Sequence, residues 1–152
     1  MKFSVHKITD EITLKKAFRI REEVFVKEQC VDPDEEYDGF ENESAQFLAY
    51  QGQQEVGTAR WRFTENGIKL ERFAVLKPFR GKGVGQALVK AVLADIQSHP
   101  ESAGKTVYLH GQLTAMGLYE KFGFQKVGDL FVECGIDHYQ MELSIDRDVR
   151  TT

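Results

Sequence analysis

Between Leu70 and Ile96 the chain passes from an apolar stretch with strand character, through Pro78, into Arg80-Gly81-Lys82-Gly83-Val84-Gly85. Val84, Leu88, Ala91, Val92 and Ile96 then recur at the spacing of one helix face. A strand that feeds a glycine-rich turn and opens a helix is a recurrent anion site. Glycines let the backbone approach a phosphate, and the unpaired amides and the helix dipole point at it. Two phosphate patterns fail here on spacing. A P-loop needs a glycine five residues after Gly81, where Gln86 stands. The dinucleotide pattern GxGxxG meets Gln86 after Gly81 and Gly83, and Leu88 after Gly83 and Gly85. The pattern that fits is Arg80-x-x-Gly83-x-Gly85.

The segments around the turn define a mixed plan. Phe3 and Val5 alternate with polar residues, as in a half-buried strand, and Asp10 can cap a helix from about Ile12 to Glu28. Leu14, Ala17, Phe18, Val24 and Phe25 would be its buried stripe. An acidic loop with Pro33 and Gly39 follows. Ala45–Tyr50 and Val56–Phe63 read as strands around a turn at Gln51-Gly52, and Asn66-Gly67 supplies a tight turn that returns Ile68–Val75 antiparallel. After the helix that ends near His99-Pro100 come a strand at Thr106–His110, a helix at Thr114–Phe122, and strands at Gln125–Val127 and Ile136–Leu143. Helices interleaved with strands around one core make an α/β fold.

At 152 residues, 41% of them apolar, residues 1–152 make one domain of ordinary size. Such a chain buries roughly 68–70% of its unfolded surface, so no disulfide or metal is needed to hold the core. The two cysteines, Cys30 and Cys134, are too few for a disulfide framework and form no CxxC pair, so both are expected as free thiols. No apolar run approaches the ~20 residues of a membrane span, and Met1-Lys2-Phe3-Ser4-Val5-His6 lacks the features of a signal peptide; the expectation is a cytoplasmic protein without a membrane partner.

Twenty Lys and Arg against 24 Asp and Glu give a net charge of −4, unevenly placed. Seven acids and no base lie between Asp32 and Glu43, and five bases and no acid between Arg72 and Lys90. Each is either a solvated stretch or a surface for ions of opposite sign. The net charge, and the lack of exposed aromatics among the bases, argue against a nucleic-acid partner.

The turn Arg80-x-x-Gly83-x-Gly85 resembles the acetyl-coenzyme A signature of the GNAT superfamily of N-acetyltransferases. Leu70 to Pro78 resembles that fold's fourth strand, Leu118-Tyr119-Glu120-Lys121-Phe122-Gly123-Phe124 resembles its later Tyr-Glu-Lys-x-Gly-Phe motif, and the likeness covers nearly the whole chain. Arg21 to Gln29 with the acidic segment is similar to the ElaA-like branch. The resemblance implies a mostly antiparallel central sheet, split by a bulged strand, with helices on both faces. It implies direct acetyl transfer from acetyl-CoA to an amine of a small molecule or peptide, with no metal, in a protein that is often a homodimer. Backbone groups of Phe73, Ala74 and Val75 would hold the pantetheine and thioester, and Arg80, Gly81, Lys82, Gly83, Val84, Gly85 and Gln86 the pyrophosphate.

Tyr119 is then the candidate acid for the departing thiolate, since an ordinary phenol with a pKa near ~10 can give up a proton; otherwise it is a packed aromatic. Glu71 is a candidate base, or a strand carboxylate paired with Lys69 or Arg62. His110 is a second candidate base, or a hydrogen-bonded structural histidine. Gln112 can offer an amide to the coenzyme or acceptor. Cys134, with His138 four residues on along a strand, raises an acyl-cysteine route, against which stands a buried, inert thiol. The other class of function is a non-catalytic acyl-CoA-binding module. The acceptor, the oligomeric state and the role of the acidic segment stay open.

Overall fold

The computed structural model describes residues 3–143; Met1 and Lys2, and residues 144–152 of the expected 1–152 domain, lie outside the described residues. In chain order the elements are β1 (Ser4–Lys7), α1 (Glu11–Arg21), a π-helical segment (Glu22–Glu28), α2 (Pro33–Glu36), β2 (Ala45–Gln51), β3 (Gln54–Thr64), β4 (Gly67–Val75), α3 (Val84–Ser98), β5 (Val107–Gln112), α4 (Met116–Glu120), β6 (Gln125–Glu133) and β7 (Ile136–Leu143). The strands form one sheet in the order β1-β2-β3-β4-β5-β7-β6, and only the β4–β5 pair is parallel.

Strand alternation assigns the two faces. Phe47 and Ala49 of β2 pack with Val84, Leu88, Val89, Val92 and Ile96 of α3, whereas Leu48 between them packs with Ala17 and Ile20 of α1 and Val24 and Phe25 of the π segment. The expected mixed, mostly antiparallel sheet with helices on both faces is therefore observed. Asp10 caps α1 as expected, accepting from the Thr13 amide at 2.7 Å.

Five local expectations change. The helix expected through Glu28 leaves α geometry at Glu22, where the Gln29 amide reaches back five residues to the Val24 carbonyl. Its buried stripe contains Ile20 and Arg21 in place of the half-buried Leu14 and Phe18, and Arg21 can be fully buried because Glu36 and Glu41 neutralise it. The hairpin turn is Glu65-Asn66, one residue earlier than expected, and Gly67 is already paired with Thr64. Gly67 has φ 137°, and a Cβ there would stand 2.3 Å from the Thr106 carbonyl oxygen, so glycine is required for a close backbone approach and not for the turn. The helix expected over Thr114–Phe122 is only Met116–Glu120, preceded by a 3₁₀ turn at Leu113–Ala115, and the strand expected at Gln125–Val127 runs on to Glu133.

The acidic segment is no plain loop. It holds α2 and a 3₁₀ turn at Glu41–Glu43, and three of its acids are drawn into arginine pairs: Glu36 with Arg21 and Arg72, Asp38 with Arg60 and Arg72, and Glu41 with Arg21 and Arg60. Burial opposes Asp38 ionisation, but the Arg60 hydrogen bond and charge outweigh it and hold the carboxyl down at about 2. No helix among the described residues is long and apolar enough to cross a membrane.

Candidate active site

The site begins with an irregularity in β4. Thr58 of β3 stands opposite Ala74 and Arg60 opposite Glu71, so β3 has one residue between those pairs and β4 has two, Arg72 and Phe73. This is a β-bulge. Arg72 takes φ 58°, uncommon for a residue with a side chain. Its guanidinium holds it there, donating to the Glu35 and Glu36 carbonyls and to the Asp38 carboxylate. On its other edge β4 pairs with β5 only from Ile68–Leu70 to Val107–Leu109, and from Leu70 on, along the bulge, the two strands part. The gap is a cleft of about 480 Å³, with Leu70–Val75 on one wall and Leu109–Gln112 on the other.

Leu118 and Tyr119 of α4 line this cleft. Tyr119 is 6% exposed, its ring edge-on to Phe73 at 5.8 Å and to Phe124 at 6.0 Å. It is a packed aromatic and a cleft residue at once. Burial pushes its phenol well above its ordinary pKa, so the hydroxyl keeps its proton at any neutral pH.

At one end of the cleft lies the glycine turn. Gly81 and Gly83 have φ 76° and 100°, and Gly83 is the residue before α3. No side chain caps that helix, which leaves its first amides without a side-chain partner. Arg80 and Gly85 line the cleft; Gly81, Lys82, Gly83 and Gln86 are exposed beside them, and Val84 is buried in the α3 core. Arg80 is itself engaged. Its Nε donates to the Val75 carbonyl at 2.8 Å, and its two terminal nitrogens donate to Glu28 at 2.6 and 2.7 Å.

The other end is polar. Val107 and Leu109 of β5 pack with α3, so Tyr108, His110 and Gln112 lie on the other face of the sheet by alternation. Gln112 and Gln29, just after the π segment, exchange amide hydrogen bonds at 3.1 and 3.4 Å. Nδ1 of His110 lies 3.1 Å from Glu133 Oε1. The His110 hydrogen bond holds the Glu133 carboxyl down at about 2, against the effect of burial, with smaller help from the charges of His110, Lys69 and His138. His138 is 6% exposed, with Nδ1 2.7 Å from the Ile136 carbonyl and its ring stacked on Phe131.

Glu71 also reaches the cleft, surrounded by cations. Its Oε2 accepts from Arg60 Nε at 2.8 Å and Arg62 Nε at 2.7 Å, and Oε1 lies 3.4 Å from Lys69. Burial acts to raise its pKa, but Arg60, Arg62 and Lys69 together lower it below the usual carboxylate value. Cys134 is exposed, contrary to the expectation of a buried thiol. It lies with Gly135 in the β6–β7 turn at φ 53°, not on one strand with His138, and partial burial and Glu35 raise its pKa, so it stays a thiol. Both cysteines are free, and among the described residues no group of three His, Cys, Asp or Glu can hold a metal.

Phe73, Ala74, Val75, Arg80, Gly85, Gln112, Tyr119, Glu71 and His110 thus all border one cleft. Sequence reasoning missed the buried pairing of Arg21 and Arg60 and the place of Glu133 beside His110, because their partners stand far away along the chain. Alternation alone places Arg60 beside buried Ala59 and Trp61, with nothing to mark it as buried itself.

Residues 8–145 match the model of the acetyltransferase (GNAT) domain. The uncharacterised N-acetyltransferase YjcF of Bacillus subtilis is 41% identical over 133 residues, 87% of this chain and 93% of the relative. The crystal structure of Escherichia coli ElaA superposes with a TM-score of 0.81 at 25% identity, covering 94% of this chain and all of that one. A GNAT acetyltransferase of Elizabethkingia anophelis with acetyl-CoA bound shares the fold at a TM-score of 0.67 and 17% identity, over 94% of this chain and 98% of that one. With a split sheet, a glycine turn at the end of the split and a matching family model, this chain belongs to the GNAT acetyltransferase family.

Proposed function

We propose that this protein transfers an acetyl group from acetyl-CoA directly to a primary amine of a small molecule or peptide. Acyl transfer from acyl-CoA is the chemistry of its family; the acetyl donor and the amine acceptor are this reading's own. The observation that carries it is the parting of β4 from β5 past Leu70, which leaves the backbone of Phe73, Ala74 and Val75 without a strand partner on that edge and facing the cleft. An extended pantetheine amide chain satisfies such an edge as a strand would.

The turn from Arg80 to Gln86 suits the pyrophosphate, through the uncapped amides at the start of α3, with Lys82 exposed alongside, and Arg80 would join them by exchanging Glu28 for a phosphate oxygen. Gln112, from the opposite wall, offers its amide to donor or acceptor. The amine nitrogen attacks the thioester carbon, the C–S bond breaks, and Tyr119 gives its phenolic proton to the sulfur and recovers one from solvent. A raised phenol pKa keeps that proton in place until the thiolate forms, and the same burial raises the proton affinity of the thiolate. The acceptor arrives as an ammonium ion and must lose a proton before attack. Glu71 and His110 are the two candidates to take it.

The test is thiol release from acetyl-CoA across a panel of amines, with Tyr119→Phe in parallel. The expected result is turnover with at least one amine, reduced roughly 10²–10⁴-fold in the variant with coenzyme binding little changed. Coenzyme binding without turnover across the panel would replace this reading with a non-catalytic acyl-CoA-binding module, and a Tyr119→Phe rate within about twofold of wild type would leave the phenol a packing residue.

A further inference from the structure

We propose that His110 takes the proton from the acceptor's ammonium group and that Glu133, on β6, is the positioning residue that holds it for this task; the proposal rests on the acyl-transfer reading above. Glu71 is unsuited to the role. Both of its oxygens face cations, Arg60 and Arg62 on Oε2 and Lys69 on Oε1. A carboxylate so compensated gains little from a proton, and accepting one would leave Arg60 buried with less of its counter-charge. It acts as a strut between β3 and β4.

His110 has the geometry that Glu71 lacks. The Glu133 carboxylate is ionised and can only accept, so the imidazole Nδ1, 3.1 Å from Oε1, carries the ring's hydrogen. That fixes the tautomer and leaves the Nε2 lone pair open. Phe131 stands edge-on at 5.1 Å and Tyr108 is tilted at 6.1 Å, fixing the ring plane from two sides. The side chain is 26% exposed and lines the cleft, so it is reachable by a substrate. His138 does not compete: the Ile136 carbonyl orients its Nδ1, but the ring is stacked on Phe131 and almost fully buried, out of a substrate's reach.

The protons balance. The N–H bond of the ammonium breaks and an N–H bond forms at Nε2, giving an imidazolium opposite the Glu133 carboxylate. The free amine attacks, its nitrogen loses a second proton to solvent as the C–S bond breaks, and the sulfur receives one from Tyr119. Imidazolium returns its proton to solvent. One ammonium and one thioester give one amide, one thiol and one released proton.

The experiment has two arms on the full chain. In the first, ¹⁵N NMR of the imidazole nitrogens, with neither substrate present, reads the tautomer. Wild type is expected to show His110 protonated on Nδ1, and Glu133→Gln to lose that preference while Glu133→Asp keeps it. In the second, thiol release is measured with an amine that turns over. His110→Ala and His110→Gln are expected to lower kcat roughly 10²-fold or more, Glu133→Gln roughly tenfold or more with recovery in Glu133→Asp, and acetyl-CoA Kd by calorimetry to stay within about twofold throughout. Turnover that survives both His110 variants, or a wild-type ring protonated on Nε2, overturns this proposal alone. Absence of thiol release from wild type with every amine overturns the transfer reading and this proposal with it.

Discussion

Single side chains in this protein are fixed by what neutralises them. Arg60 is fully buried yet pairs with Glu71, Asp38 and Glu41, and the two β-strand residues Glu71 and Arg60 stand opposite each other in the β3–β4 register. Removing one partner of a buried pair strands the other, a loss of about 3–5 kcal/mol in measured cases. Glu71→Gln is therefore expected to cost about 3 kcal/mol in urea unfolding. A base would behave differently: its removal would leave stability alone and cost rate chiefly at low pH, where free amine is scarce. A stability change under about 0.5 kcal/mol would remove Glu71 from the scaffold. Gly83 makes the opposite kind of demand. Its φ of 100° is strained for any side chain by roughly 1–2 kcal/mol, and nothing but Phe3, 3.9 Å away, would meet a Cβ. Gly83→Leu is expected to fold with that modest loss and to weaken acetyl-CoA roughly tenfold or more in calorimetry, because its bulk would stand beside the uncapped first amides of α3. Unchanged affinity would move the pyrophosphate elsewhere.

At the scale of elements, the bulge in β4 separates this sheet from an ordinary one. Arg72 is in a left-handed conformation that costs a residue with a Cβ about 1 kcal/mol, and its side chain offsets this through the Glu35 and Glu36 carbonyls and Asp38. Arg72→Ala keeps the strain and loses the ties, whereas Arg72→Gly loses the ties and relieves the strain. The glycine variant is expected to be the more stable of the two by about 1 kcal/mol in urea unfolding; the reverse order would contradict a left-handed residue there. The strands and α3 were legible because alternation and helical spacing are local. The bulge followed only from family resemblance, since Glu71, Arg72 and Phe73 carry no glycine or break in pattern. The one-residue error at the β3–β4 turn has a tertiary cause: Gly67 answers to Thr106, 39 positions on, and not to the hairpin. The burial of Arg21 was hidden for a like reason, because it depends on carboxylates from beyond Asp32.

Across the whole molecule, the sheet divides two jobs. The α3 face and its glycine turn suit the donor's phosphates; the face carrying Glu71, His110 and Gln112 suits the acceptor; the split between β4 and β5 joins them. The acidic segment belongs to this division as scaffold. Arg21, Arg60 and Arg72 tie Glu36, Asp38 and Glu41 to the sheet, which leaves Asp34 and Glu35 exposed. No single-residue rule shows that a run of acids will be consumed by arginines from three other elements. The arrangement also sets the acid limit of the fold. Asp38 and Glu133 fall to about 2 on folding from 3.8 and 4.5, so the unfolded chain binds protons first as pH drops. Their contribution is full above about pH 4.5 and is lost as pH falls toward 2. Acid unfolding followed by circular dichroism should show stability declining across that window, with a shallower decline in Asp38→Asn, which is less stable at neutral pH; an equal slope would mean that Asp38 titrates alike in both states. If the split cleft holds the thioester with its sulfur at Tyr119, a crystal structure with acetyl-CoA bound will show pantetheine along Phe73–Val75, pyrophosphate on the Arg80–Gln86 turn and sulfur about 3–4 Å from the Tyr119 hydroxyl. A coenzyme seated outside the β4–β5 gap, with Tyr119 far from the sulfur, would overturn the assignment of the cleft.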